Sequence, residues 1–345
     1  MTIQEFGWPM TPGDGGRNLE LRYDRRIDEN FLDVICDGPL RSLQEYAREA
    51  RYPVDLQFRR DIHSGDQRAQ LYVGLQRVLS VYWRSGRVRF EGHTKYGRYQ
   101  RYGFDDAWRE WMAADAVAGI VEDLDDYLEL VIPKVASVAT EGAVQSAITS
   151  FQSTNGRANG GRAMLDREFT PQFESSFVED FVMNDVSATL LAAIQDAPVD
   201  RPRPTSFGPR LDVLGTRDGV LQAIEVKPKG VASIVWAPVQ VIVYARLVQR
   251  WLGEDPEARD ILRRLAEQRR RVGLLHDDVY LGSLDEVQPV IAVQRGGRDG
   301  SYLSDMMRVI EHLAHKGIGE AAALKVYEVS LSGRMRRLDK PLPLL

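Results

Sequence analysis

Two short strands joined by a tight turn occupy residues 208–227, and this stretch constrains the fold more than any other. Apolar and polar residues alternate on both sides of Arg217-Asp218-Gly219, and an Asp-Gly pair in that setting is a strong hairpin signal. On the second strand Glu225 and Lys227 are two apart and share a face, while Ile224 and Val226 share the other. Asp212, thirteen positions before Glu225, lies on the partner strand, so Asp212, Glu225 and Lys227 can converge. Two carboxylates that suit a hard divalent cation, with an ammonium beside them, are the parts that activate water against a phosphodiester. A same-face ion pair between Glu225 and Lys227 is the plain structural alternative.

What surrounds the hairpin predicts a two-domain chain. A length of 345 residues suits about two domains, each with its own core. Residues 1–16, with several Gly and Pro, are expected to be loosely ordered. Residues 17–155 read as an N-terminal α+β module. Alternating runs at 54–58, 69–75, 78–82 and 87–90 give an antiparallel meander, followed by helices over 106–132 and 135–151. The Gly- and Asn-rich stretch after Ser153 places a linker at 156–165. From 166 to 345 the pattern is helix (171–194), hairpin, helix (238–252), strand (289–293), helix (302–315) and strand (324–330). That order predicts an α/β domain with a mixed central sheet flanked by helices.

Charge and cysteine usage remove several classes. The formal net charge is −5, so any nucleic-acid-binding surface must be local. A single cysteine, Cys36, excludes an intramolecular disulfide framework and a thiolate metal cluster, and suits a reducing cytoplasm. The N-terminus has no apolar run, so no secretory leader is expected. The most apolar window, 231–245, is broken by Ser233, Pro238 and Gln240 and reads as too short and too polar to cross a bilayer. No phosphate-binding G-x-x-x-x-G-K-[ST] loop is present, which excludes an ATPase motor within the chain.

Two further positions extend the hairpin site. Gln240 and Tyr244 are four apart on the following helix and lie one turn above the other. Glu174 falls in phase with Phe177, Val178 and Phe181 on the preceding predicted helix, so it is expected to face inward, where a lone carboxylate is costly without a cation. Glu179 is its rival on that helix. Over about residues 170–300 the chain resembles the PD-(D/E)xK phosphodiesterase superfamily, in its RecB-like branch. There a glycine-led strand ends at an aspartate, (D/E)-x-K follows, and a helix carries Q-x-x-x-Y. Leu211 stands where many members of the superfamily have proline.

The resemblance implies a restriction-endonuclease-like core and a metal-dependent deoxyribonuclease acting in restriction, repair or antiviral defence. It implies that Asp212, Glu225, the Val226 carbonyl and Glu174 bind Mg²⁺ or Mn²⁺. Lys227 would orient the attacking water, and Gln240 and Tyr244 would lie near the nucleic-acid strand. A catalytically silent binding or assembly subunit, and an RNA-directed nuclease, are the alternatives. The N-terminal module is expected to recognise substrate, dock a protein partner or form a homodimer. Its basic, aromatic stretch offers Arg87, Arg89, Lys95 and Arg98 as DNA contacts. A second basic stretch, Arg259 to Arg271, is interleaved with Glu257, Asp260 and Glu267 and reads equally as a salt-bridged helix. His312 and His315 sit at a helix end, where imidazole suits the negative end of the dipole better than it makes a metal site.

Overall fold

The computed structural model describes residues 21–49, 52–93, 95, 108, 110–136, 141–155, 162–296 and 300–338. In the first half the elements are β1 (Leu21–Arg22), α1 (Glu29–Cys36), α2 (Arg41–Glu49), β2 (Val54–Arg60), β3 (Gln67–Val73), β4 (Gln76–Arg84), β5 (Arg87–Gly92), β6 (Met112–Ala113), α3 (Val121–Ala136) and α4 (Glu141–Asn155). The second half holds β7 (Arg162–Phe169), β8 (Gln172–Phe173), α5 (Ser176–Ala193), β9 (Leu211–Arg217), β10 (Val220–Lys227), α6 (Ala237–Glu254), α7 (Ala258–Arg271), β11 (Val287–Gln294), α8 (Gly300–His315), α9 (Gly319–Ala323), β12 (Lys325–Val329) and β13 (Met335–Arg337).

The meander forms as expected: β2 to β6 make one antiparallel sheet in chain order. Its apolar face packs on α1, α2 and α3 through Phe31, Leu32, Leu56, Phe58, Val81 and Tyr127. The stretch expected as a helix over 106–132 opens with β6 and a 3-10 segment, Ala114–Ile120, and becomes α-helical at Val121. Cys36 is buried on α1, and burial pushes its thiol up to about 11 against the opposing Arg271 cation. With roughly one thiolate in a thousand at pH 8, Ellman's reagent is expected to label native protein extremely slowly and denatured protein at once. Rapid native labelling would show that α1 opens.

The second sheet has the order β13-β12-β11-β10-β9-β7, with β10, β11 and β12 parallel and the other pairings antiparallel. It is the mixed, helix-flanked sheet that the sequence predicts. In the β9–β10 turn Asp218 (φ 51°) and Gly219 (φ 85°) both take positive φ, the type I′ geometry an Asp-Gly hairpin needs. One sheet face packs on α4 through Val144, Ile148, Val213, Ile224, Val226 and Val290. The other packs on α6 and α8 through Ala223, Ile291, Val293, Ile242, Val243 and Met306. α6 is apolar around most of its surface because most of it is buried, with Arg246, Gln249 and Arg250 on its remaining side. With the 3-10 turn before it, the stretch from Ala232 to Glu254 is long and apolar enough to span a membrane by composition, longer than the 231–245 window suggests. Of its most apolar window, 72% is buried inside the fold, as in a core helix.

The linker expected at 156–165 gives way to a strand at its C-terminal end. Residues 156–161 lie outside the described residues, and 162–165 are the start of β7, a strand of the second sheet. The two halves also exchange elements. β1 pairs with β8, α4 covers the second sheet, and Val272 and Leu274 complete the first core. A buried polar network ties them together. Asp166 on β7 accepts from the Tyr23 hydroxyl at 2.6 Å and from Arg59 on β2 at 2.8 Å, and pairs with Arg25 at 3.5 Å. Arg167, fully buried, reaches the Ser146 hydroxyl at 3.1 Å and Asp55 at 3.6 Å. Arg269 on α7, also buried, points to the Leu56 carbonyl at 3.4 Å.

Candidate active site

The hairpin register places the acidic pair. Val213 is opposite Ile224, so one step further along the antiparallel ladder Asp212 stands opposite Glu225. By strand alternation Asp212, Glu225 and Lys227 share the face covered by α6, while Val213, Ile224 and Val226 face α4. Asp212 is fixed by the Val226 backbone N–H, which donates to its Oδ2 at 2.7 Å. Glu225 and Lys227 are 2% and 6% exposed, and Lys227 Nζ lies 2.6 Å from Glu225 Oε1.

α6 closes the site from above. The Trp236 indole N–H donates to the Pro202 carbonyl at 2.7 Å and fixes the approach to the helix, which starts with Ala237-Pro238. That start sets Gln240 over the strand ends. Lys227 donates to Gln240 Oε1 at 3.1 Å, and Gln240 Nε2 donates to the Tyr244 hydroxyl at 3.0 Å. Burial, reinforced by the Glu225 carboxylate, holds the Tyr244 phenol well above its usual range, with Asp212 adding to the effect and Arg210 opposing it. Five of the sequence-predicted side chains, Asp212, Glu225, Lys227, Gln240 and Tyr244, thus come together.

The electrostatics suit a cation. Two carboxylates on directly opposed positions repel each other, and a buried anion is costly without a counter-charge. One ammonium faces them from within the site. The donor set is all oxygen, which suits Mg²⁺ or Mn²⁺.

Glu174 does not join. Its helix starts at Ser176, capped by the Ser175 hydroxyl, which accepts from the Val178 N–H at 3.3 Å; Glu174 precedes it and is exposed. The phase argument for Glu174 relied on Phe177 and Phe181 facing inward, yet they are 76% and 46% exposed, and the buried stripe is Val182, Met183, Val186 and Leu190. α5 meets α6 antiparallel, Asp185 against Arg250 and Val186 with Thr189 against Arg246. Going back along α5 towards Glu179 and Glu174 therefore leads away from Gln240. No three His, Cys, Asp or Glu side chains cluster for a metal among the described residues.

The basic segments are engaged elsewhere. Arg87 donates to the Trp111 carbonyl, and Arg89 lies over the Tyr82 ring at 4.4 Å and the Trp111 ring at 5.6 Å, so both cations are engaged with the Trp111 segment. Lys95 is exposed at the end of that sheet; Arg98 lies outside the described residues. On α7, Arg264 pairs with Asp260, Arg259 with Asp285, and Arg271 with Glu29, Asp33 and Asp37, the salt-bridged reading. His312 is held by the Ala193 carbonyl at 2.8 Å and Asp196 at 3.2 Å. Arg210 near Tyr244 went unnoticed in the sequence, although it stands two residues before Asp212 and so on the same side of the strand.

Neither protein-family models, nor curated proteins, nor solved structures match this chain.

Proposed function

We propose that this chain is a divalent-metal-dependent nuclease that hydrolyses DNA phosphodiester bonds, with Asp212, Glu225 and Lys227 as its catalytic residues. The observation that carries the reading is the continuous assembly from carboxylate to ammonium to amide to phenol, with contacts of 2.6, 3.1 and 3.0 Å. A purely structural Glu–Lys pair would need neither the amide nor the phenol.

Asp212, Glu225 and the Val226 carbonyl would hold Mg²⁺ or Mn²⁺; one or two carboxylates are what Mg²⁺ commonly takes from a protein, water and substrate phosphate supplying the rest. Bound there, the ion supplies Lewis acidity and lowers the pKa of a coordinated water. Lys227 would present its ammonium to the attacking water and to a phosphate oxygen, offsetting charge that grows as the P–O bond breaks. Gln240 fixes the direction of the ammonium. Tyr244 keeps its proton because of burial and Glu225, so it does not act as a base while its hydroxyl accepts from Gln240.

Supercoiled plasmid DNA is expected to be nicked with Mg²⁺ or Mn²⁺, not with Ca²⁺, whose larger coordination sphere positions water poorly, and not in EDTA. Undiminished cleavage in EDTA would sink the reading. The placement of Glu174 outside the site favours one rival, a silent binding subunit with the same fold; metal binding with no cleavage of DNA or RNA would establish that rival. Cleavage of an RNA oligonucleotide in preference to DNA would redirect the assignment to RNA.

A further inference from the structure

A second basic site lies on the same sheet face, three strands from Lys227. The registers are continuous: Lys227 is opposite Val293, Val293 opposite Glu328, and Glu328 opposite Arg336. These four residues form one row across β10, β11, β12 and β13. Arg295 follows Val293 by two residues, Ser330 follows Glu328 by two, and Arg334 precedes Arg336 by two, so all lie on that face at the same end of the sheet. There Arg295, Glu328, Ser330, Ser332, Arg334 and Arg336 line one cavity of about 470 Å³.

The lining is built to take an anion. Among the described residues that line it are three guanidinium groups and one carboxylate, Glu328, which pairs with Arg336 at 2.8 Å. The Ser330 and Ser332 hydroxyls are 2.9 Å apart, and the Arg334 backbone N–H donates to Ser330 Oγ at 3.1 Å, which shapes the β12–β13 turn. Guanidinium and hydroxyl donors together match phosphate oxygens. On a chain of net charge −5 this local excess of cations is a departure from the average surface. Lys229 follows β10, and its backbone N–H donates to Gln294 Oε1 at 3.3 Å, next to Arg295 in the chain.

We infer that the cavity of Arg295, Arg334 and Arg336 holds the phosphate backbone of the DNA strand that passes the Asp212–Glu225–Lys227 site. The inference rests on the nuclease reading for what happens at that site, and on the sheet registers for the path. Three inter-strand steps separate Lys227 from Arg336 by about 14 Å. A duplex advances about 3.4 Å along its axis per phosphate of one strand, so the cavity meets the backbone about four nucleotides from the scissile bond.

The test is fluorescence anisotropy with the full chain and a labelled 20-base-pair DNA duplex in EDTA, titrated over a range of NaCl. The combined Arg295→Gln, Arg334→Gln and Arg336→Gln variant is expected to bind on the order of tenfold or more weakly at low salt. Its plot of log affinity against log salt should be shallower by about two to three units, one per lost phosphate contact. Glu328→Gln is expected to tighten binding, since it removes the carboxylate that competes with phosphate for Arg336; a merely structural Glu328 would not produce that gain. An unchanged slope in the triple variant overturns the inference, whatever the hydrolytic activity proves to be. A shallower slope in a chain that never cleaves keeps this path and sinks only the nuclease reading. Calorimetry with sodium phosphate alone separates the source of the anion. Saturable phosphate binding that the triple variant loses, with no change in DNA slope, assigns the cavity to a free anion and overturns the path.

Discussion

Lys227→Ala is expected to lower DNA cleavage by about two to three orders of magnitude while leaving Mn²⁺ affinity nearly intact. A donor aimed at charge that develops in the transition state commonly contributes that much to turnover and little to ground-state binding. The burial of the pair adds a second signature. Removing the ammonium leaves Glu225, 2% exposed, without the cation 2.6 Å from its Oε1. Breaking a buried pair on one side costs about 3–5 kcal/mol. The variant is therefore expected to unfold earlier in EDTA and to recover when Mn²⁺ is added. Asp212→Asn should behave differently. The amide oxygen can still accept from the Val226 N–H, so shape survives, but a charged ligand is lost and metal affinity and cleavage fall together. Calorimetric Mn²⁺ titration, a nicking assay and urea unfolding with and without Mn²⁺ separate the two. A Lys227→Ala protein that cuts at the wild-type rate would reduce this lysine to a salt-bridge partner.

Asp166→Ala should produce a large loss of stability. This carboxylate is 2% exposed and gathers the Tyr23 hydroxyl and the Arg59 and Arg25 guanidinium groups. Without it, cations remain buried at the junction, with Asp55 beside Arg167 and Glu168 3.9 Å from Arg59 as the carboxylates left to them. A cost of about 3–5 kcal/mol is a large part of the 5–15 kcal/mol that holds a typical domain folded. Urea unfolding followed by tryptophan fluorescence measures the loss, and Trp251, one of six tryptophans, lies at the junction 5.1 Å from the Tyr23 ring. A loss under about 1 kcal/mol would mean that water replaces the carboxylate or that Arg59 turns to another acceptor. Asp166→Asn, which keeps the acceptor oxygen, should lose less.

The hairpin and its site were legible because every signal they carry is local. The turn chemistry of Asp218-Gly219 and the two-residue period of Glu225 and Lys227 need no distant partner to be read. Gln240 and Tyr244 followed from helical spacing alone. The first four residues of β7 read as linker for the opposite reason. Its Arg162, Asp166 and Arg167 look like solvent residues, and only Arg59, Asp55 and Ser146, far away in sequence, make their burial tolerable. Glu174 failed on phase, since α5 carries Phe177 and Phe181 on its exposed side and so offers a false apolar stripe. Arg87 and Arg89 resemble a nucleic-acid surface until Trp111, more than twenty residues on, comes to lie against them. The Arg295–Arg336 cavity is spread over forty positions and exists only through the order of the strands.

The exchange of elements between the halves has a consequence for synthesis. The first core has its meander and helices in place by Ala136, yet Val272 and Leu274 belong to it, and Gln268 binds the Ile27 backbone in both directions, at 3.1 and 2.6 Å. A growing chain cannot close that core until residue 274 has left the ribosome. At about 5–20 residues per second, the wait after Ala136 is roughly 7–30 s. During that interval Phe31, Phe58 and Val81 lack their last neighbours, and Arg59 and Asp55 lack at least part of the network that makes them safe to bury. The same strands that form first are thus the ones a nascent-chain chaperone would have reason to hold.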